Sequence, residues 1–472
     1  MNILDLTIEE TLNGYKNKEF SVSEIIKACL ERIKKYDKDI NSFITICEKE
    51  ALDEAGKKDL LLKDEGTSLP LFGIPIGLKD LYSTKNIRTT AASKVLDDYI
   101  PPYDATVVKK LKDAGVIILG KLNCDGWAHG SSGENSDYGP TKNPWNKEYV
   151  PGGSSSGSAA SVASSFALAS FGTDTGGSIR LPASFTNTVG IKPTYGRVSR
   201  YGIVAMASSL DSIGHFTKTV RDNALVLNAT AGSDIFDATT SQSPVTNYLE
   251  NIQAGIKGIK IGVPKEYVSK NLGIEPEISS IFSKSLKILE NIGAEIIEIS
   301  LPHSEYAIAT YYIIQPSEVS SNLARYDGIR FGNNRSSFSD EAKRRIMLGT
   351  YTLSSGYYDA YYKKAMQVRT LIKNDFEQGY KRVDAIVAPV SPTLPWKLGE
   401  KLNDPLKMYL SDIFTVTANL AGIPGLSVPA GFVKQLPVGI QILGPQFSED
   451  LLYKIAYSFE QETEYYKQSP KL

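Results

Sequence analysis

Apolar residues recur at helical spacing early in the chain. Ile25, Cys29 and Ile33 fall four apart behind Ser21-Val-Ser-Glu24, where a hydroxyl followed three residues later by a carboxylate signals a capping box. Residues 1–65 are predicted helical. From residue 71 the texture changes: LFGIPIGL is a continuous apolar run with glycines, predicting a buried strand that ends at Lys79-Asp80. A helix is predicted over 104–115 and a strand over 116–120. The stretch 130–158, rich in Gly, Ser, Asn and Pro, reads as loop. It gives way to a small-residue helix over 158–170 that runs into the apolar FALASFG at 166–172. Further strands are predicted at 259–264, 295–302, 384–389, 426–430 and 438–444. Helices are predicted over 274–293 and 448–464, the last with Ser448 as its N-cap. The region 303–381 is mostly helical in pattern. Together these predict an α/β protein whose loops carry chemistry, with one domain over 1–472, a helical N-terminal region (1–65) and a helical insertion (303–381).

Composition narrows the function classes. Lys plus Arg total 52 and Asp plus Glu 53, so no global field attracts nucleic acid or an acidic membrane. If RNA is involved, a local patch or another subunit holds it. Cys29, Cys47 and Cys124 are odd in number and lack C-x-x-C spacing, which argues against a disulfide framework or a cysteine zinc site and suits a reducing cytoplasm. The polar, acidic N-terminus does not resemble a signal peptide, and no run of about 18 apolar residues is long enough for a bilayer.

The chemistry-bearing stretch is 152–180, GGSSSGSAASVASSFALASFGTDTGGSIR, with two Ser-Gly clusters separated by one helix and one strand. The second cluster follows an apolar strand, so it falls at a strand's carboxyl end, where sites form in open α/β sheets. Three readings compete. Gly153-Ser154-Ser155-Ser156-Gly157 matches the G-x-S-x-G elbow in form, but polar NPWNKEYVP precedes it instead of a buried strand, and the histidines are only His129, His215 and His303. A phosphate cradle would use glycines before a helix, but neither G-x-x-x-x-G-K-[ST] nor a strand-borne G-x-G-x-x-G is present. The third reading takes Lys79, placed after an apolar strand where burial disfavours its charge, as the base of a Ser-Lys pair. Taken singly, Lys79 is an ordinary lysine just past a strand, and the glycines simply permit close packing.

The ordered set decides among them. Lys79 in PIGLKD, GGSSSGSAA at 152–160, GTDTGGSIRLPAS at 172–184, GIKPTYGRVSRYG at 190–202 and SLDSIGHF at 209–216 resemble the amidase signature family over nearly the whole chain. The resemblance implies an α/β/α sandwich around a large mixed sheet. It implies Ser178 as nucleophile, Ser154 as a proton relay held by a cis peptide, Lys79 as base, and the N–H groups of Thr175, Gly176, Gly177 and Ser178 as oxyanion hole. Ser155, Ser156 and Ser158 become supporting hydroxyls.

Residues 316–332, 343–372 and 408–429 further resemble the glutamine-hydrolysing branch of that family, found in tRNA-dependent amidotransferases. That implies Arg345 for the carboxylate of glutamine and Asp412 for its ammonium. It also implies B and C partner subunits in a heterotrimer. Ammonia would pass to misacylated Glu-tRNA(Gln), which the partners hold, with ATP and Mg2+ used by the assembled complex. No cofactor or metal is implied in this chain. A stand-alone amidase acting on small amides, and a catalytically dead scaffold, are the alternatives. Two departures concern the pocket: Gly126 stands where the family usually has an acidic residue and His129 where it usually has methionine, which reads as a pocket-lining substitution. The segment between Phe331 and Lys343 is shorter than usual.

Overall fold

The computed structural model describes residues 3–64, 69–269, 273–402 and 404–472. Eleven strands among them form one mixed sheet: β1 (Phe43–Ile46), β2 (Pro75–Lys79), β3 (Ile117–Leu122), β4 (Ala169–Asp174), β5 (Val189–Lys192), β6 (Ser212–Thr217), β7 (Lys260–Pro264), β8 (Glu295–Ile299), β9 (Ala385–Pro389), β10 (Gly425–Val433) and β11 (Leu436–Leu443). Their order is β1-β3-β2-β4-β6-β5-β10-β11-β9-β7-β8. β2 runs parallel to β3 and β4, and β7 runs parallel to β8 and β9. The central pairs, β4 with β6, β6 with β5, β5 with β10, and β10 with β11, are antiparallel. Helices cover both faces, so β2, β4, β5, β6, β9 and β11 are buried along their whole length, while the edge strands β1 and β8 are partly exposed.

Long apolar runs were legible and short strands were not. Every strand expected from an apolar run is present within a few residues. β1 interrupts the N-terminal region expected to be wholly helical: Asn41 in the left-handed conformation ends the helix Val22–Ile40, and Phe43–Ile46 pairs with β3. β5 (VGIK) and β6 (SIGHFT) are too short and glycine-interrupted to stand out as apolar runs, and both are fully buried between neighbouring strands. The capping box at Ser21 and Glu24 is formed on both sides. Ser448 does precede the last helix, Glu449–Thr463, but its hydroxyl donates back to Pro445 O (2.7 Å) and caps no N–H. The small-residue helix stops at Ala163, so FALASFG is free to become β4. The region 303–381 contains the helices Ala307–Leu323, Asp340–Thr352 and Lys364–Gly379, joined through irregular chain. No described helix is long and apolar enough to cross a membrane.

The last helix brings Glu460 beside the chain's other end. Glu460 is buried, accepts the Val220 N–H (2.8 Å), and lies near the buried Asp222, which accepts the N–H groups of Ile8 and Glu9. Burial raises the Glu460 carboxyl to about 8, against the Val220 hydrogen bond, and Asp222 adds to the rise. A folded-state value above the unfolded one means that the folded chain holds a proton that the unfolded chain releases, so stability falls as pH rises between the two. Thermal stability is expected to decline from pH 5 to 8, by up to about 1.4 kcal/mol per pH unit from this group. Glu460→Gln keeps the acceptor and should flatten that slope in melts recorded across the range; an unchanged slope would assign the pH dependence elsewhere.

Candidate active site

β2 and β4 are adjacent and parallel, with Leu78 opposite Phe171, so Lys79 and the end of β4 emerge together at the carboxyl edge of the sheet. Lys79 is fully buried. Its Nζ is 2.8 Å from Ser154 Oγ, 3.0 Å from Ser155 Oγ and 2.8 Å from Thr173 Oγ1. The Gly153–Ser154 peptide is cis. Burial lowers the Lys79 amine from 10.5 to about 8, although Cys124, Asp125, Asp211 and Asp174 pull the other way. That shift raises the neutral fraction at pH 7 roughly 300-fold. The set is a base hydrogen-bonded to a hydroxyl that can pass a proton on.

Beyond β4 the chain turns sharply around a carboxylate. Asp174 accepts from Gly177 N (2.9 Å), Ile179 N (3.1 Å) and Asn419 Nδ2 (2.9 Å), and pairs with Arg180 through Nε (3.1 Å) and Nη2 (3.0 Å). Burial pushes this carboxyl up, but Arg180 and the other donors more than offset it and hold it at about 2. Gly177 has φ +135°, and a Cβ there would stand 2.3 Å from Thr415 Oγ1, so the turn demands glycine. Four N–H groups were expected to form an oxyanion hole. The Gly177 N–H is committed to Asp174, while those of Thr175, Gly176 and Ser178 have no protein acceptor among the described residues.

Ser178 is half-buried and lines a cavity of about 240 Å3 together with Gly176, Ser131, Tyr312, Arg345 and Asp412. Its backbone is tied to the segment carrying Ser154 by Ser155 N–H donating to Ser178 O (3.3 Å). Its hydroxyl forms no hydrogen bond to Ser154 in this structure. Arg345 is only 3% exposed although Lys343 and Arg344 beside it are open to solvent. Its Nε donates to Glu341 (2.7 Å), its Nη1 to Gln315 Oε1 (2.7 Å), and its guanidinium lies 4.7 Å from the ring centres of Tyr312 and Tyr409. Asp412 accepts from Ser131 Oγ (2.8 Å) and Tyr312 OH (3.2 Å). Burial raises it to about 7, against those hydrogen bonds and Arg345. The cavity is smaller than the about 300–1,000 Å3 of sites for drug-sized ligands, so it suits a small polar molecule. No cluster of three or more His, Cys, Asp or Glu side chains arranged for a metal occurs among the described residues.

Gly176, Ser178, Arg345 and Asp412 thus line one cavity, while Lys79 and Ser154 are buried behind it and, among the described residues, joined to Ser178 only through the Ser155 N–H. Sequence reasoning missed Thr173, Tyr312, Gln315 and Glu341. Thr173 lies inside GTDTGG and was within reach of the motif, and Glu341 precedes Arg345 by four residues on one helix, a spacing the sequence shows; Tyr312 and Gln315 contribute only through packing of the helix Ala307–Leu323 against Asp340–Thr352. His129 corrects an expectation. It is fully buried and lines no part of the cavity, which its neighbours Ala128 and Gly130 do line. Left-handed backbone at Trp127 and Ala128 turns the chain there. Burial, reinforced by Arg345, holds the His129 imidazole well below its ordinary value. At Gly126 a Cβ would stand 3.0 Å from Asn135 O, so this loop is closed more tightly than an acidic side chain there would allow unshifted.

The Amidase family model matches residues 24–453. The chain belongs to the amidase family. It is 52% identical over 487 residues to a protein of Bacillus pumilus named as the A-type subunit of glutamyl-tRNA(Gln) amidotransferase, covering all of both chains. It is 51% identical over 484 residues to the protein of that name from Geobacter metallireducens, covering 99% of each. A crystal structure of the protein of the same name from Thermotoga maritima is 43% identical and superposes with a TM-score of 0.84, covering 100% of this chain and 98% of that one.

Gly177→Ala tests whether the turn positions the Ser178 hydroxyl. The added methyl meets Thr415 in a backbone region that alanine rarely adopts. Covalent labelling of Ser178 by a serine-directed phosphonate is expected to slow by about 10²–10³. Labelling at the wild-type rate would show that the turn is not what aligns the hydroxyl.

Proposed function

We propose that this chain is the glutamine-hydrolysing subunit of a tRNA-dependent amidotransferase. The observation that carries the reading is one small cavity presenting a serine at a strand-end turn together with a buried arginine and a buried aspartate. Free glutamine is a zwitterion with its carboxamide at the far end. Arg345 grips the carboxylate and Asp412 the ammonium, which leaves the carboxamide at Ser178. A bound ammonium also favours the ionised form of Asp412, which burial otherwise resists.

Neutral Lys79 takes the proton of Ser154, which takes that of Ser178 as the latter attacks the carboxamide carbon. The link from Ser178 to Ser154 tightens with substrate in place. The N–H groups of Thr175, Gly176 and Ser178 stabilise the developing oxyanion. Collapse returns the proton through Ser154 to the departing ammonia and leaves an acyl-enzyme. Water then releases glutamate by the same route. The names of the relatives extend the reading to the product's fate. The ammonia serves partner B and C subunits, which bind misacylated Glu-tRNA(Gln) and activate its glutamyl group with ATP and Mg2+. Near-neutral net charge in this chain fits a division in which the partners hold the RNA.

The direct test is transamidation. The chain is co-expressed with the B and C subunits and given glutamine, ATP and Glu-tRNA(Gln), with Ser178→Ala in parallel. Gln-tRNA(Gln) is expected from the wild type and none from the variant when glutamine is the donor. No product from the assembled wild type, with small amides still cleaved by the isolated chain, would leave a stand-alone amidase. The base has its own signature: kcat/KM for glutamine should rise with pH through an apparent pKa near 8, because only neutral Lys79 accepts a proton. Lys79→Met should lower kcat/KM by about 10²–10⁴ and abolish that rise; a rise that persists would place the titrating base elsewhere.

A further inference from the structure

Arg345 is held by two acceptors that differ in charge. Its Nε donates to Glu341 (2.7 Å) and its Nη1 to Gln315 Oε1 (2.7 Å). Its Nη2 makes no hydrogen bond among the described residues and is left for a ligand in the cavity that Arg345 lines. Glu341 stands four residues before Arg345, so their own helix supplies that partner. Gln315 comes from the neighbouring helix, Ala307–Leu323, and has no part in the steps described above.

The contact between the two helices is built for close approach. At Gly349, one helical turn after Arg345, a Cβ would stand 1.8 Å from Pro316 O, so glycine is what lets the helix Asp340–Thr352 come this near to the residue after Gln315. Ser317 Oγ and Thr352 Oγ1 join the same two helices at 2.7 Å.

The amide at 315 is not there for the fold. Gln315 is fully buried, and its Nε2 has no hydrogen-bond partner among the described residues. A buried donor without an acceptor costs stability. Flipping the amide gives no relief, because its N–H2 would then face the Nη1 donor of Arg345. An apolar side chain of like size would serve packing better, so the amide is explained by what its oxygen does to Arg345.

Charge explains why the acceptor is an amide and not a carboxylate. The cavity is lined by Arg344, Arg345 and Lys401 and by Asp340, Glu341 and Asp412, three charges of each sign. That balance matches a ligand carrying one charge of each sign. A carboxylate at 315 would also orient the guanidinium, but it would tip the site against an anion.

We propose that Gln315 is a positioning residue that aims the Nη2 edge of Arg345 at the carboxylate of glutamine, as an acceptor that fixes the guanidinium without neutralising it. This role rests on the proposed reading of Arg345 as the carboxylate site and adds the residue that orients it.

The test is calorimetric binding to the full chain carrying Ser178→Ala, which prevents turnover. The ligands are glutamine and γ-aminobutyramide, the same molecule without its carboxylate. Gln315→Met fills the same space without the amide. It is expected to weaken glutamine at least about tenfold and γ-aminobutyramide by less than about twofold, because only the charge-assisted bonds to the carboxylate are misaligned. Its melting temperature should be no lower than that of the parent, since a buried unpartnered donor is removed. Gln315→Glu keeps an acceptor and should still weaken glutamine selectively. In the turnover-competent chain assembled with the B and C subunits, Gln315→Met should raise KM for glutamine and leave kcat within about twofold. Wild-type glutamine affinity in Gln315→Met overturns the aiming role. So does an equal loss for both ligands, which together with a lowered melting temperature would make Gln315 a packing residue. Wild-type glutamine affinity in Gln315→Glu overturns the need for a neutral acceptor. A parent chain that binds glutamine no more tightly than γ-aminobutyramide removes Arg345 as the carboxylate site, and the role of Gln315 with it.

Discussion

Asp174 sits at the end of a fully buried strand and binds Arg180, six residues further on, with neither side chain exposed to water. Burying two charges is costly, and the pair is supported because each side-chain nitrogen of Arg180 and each carboxylate oxygen of Asp174 has at least one hydrogen-bond partner. Asp174 takes the N–H groups of Gly177 and Ile179. Arg180 reaches Gln441 on β11 and Asn419 on the helix Val416–Ala421, each within 2.8 Å. The turn carrying Ser178 is therefore bonded to both halves of the sheet. Removing one partner would leave a buried charge unmatched, at a cost of about 3–5 kcal/mol.

Burial acts on several ionisable groups here with opposite outcomes, and the partners decide which. Asp174 faces a guanidinium and stays an anion. Lys79 faces only hydroxyls at hydrogen-bonding distance, so desolvation prevails and lowers the amine to about 8. Asp412, hydrogen-bonded to two hydroxyls and close to Arg345, lies between these cases. A low-dielectric site thus sets an ionised scaffold beside a lysine that can accept a proton. Tyr312 joins Arg345 and Asp412, since its ring lies against the one and its hydroxyl donates to the other, so the spacing of the two charged groups depends on one rigid side chain.

The strands that long apolar runs announce, the first helices and the serine and lysine motifs were legible in the chain itself, because periodicity, caps and close-packed glycines are local properties. Lys79, Ser154, Ser178, Arg345 and Asp412 were named from motif resemblance. Local pattern could not have separated Arg345 from its exposed neighbours Lys343 and Arg344. What tertiary structure alone decided is which groups face one another. It buried VGIK and SIGHFT inside the sheet, tied Arg180 to Gln441 and Asn419, and put Gln315 against Arg345. It also turned His129 away from the cavity it was expected to line. The burial of those strands and the approach of Gln315 to Arg345 join residues far apart in sequence, and with the desolvation such contacts impose they are encoded by no local pattern.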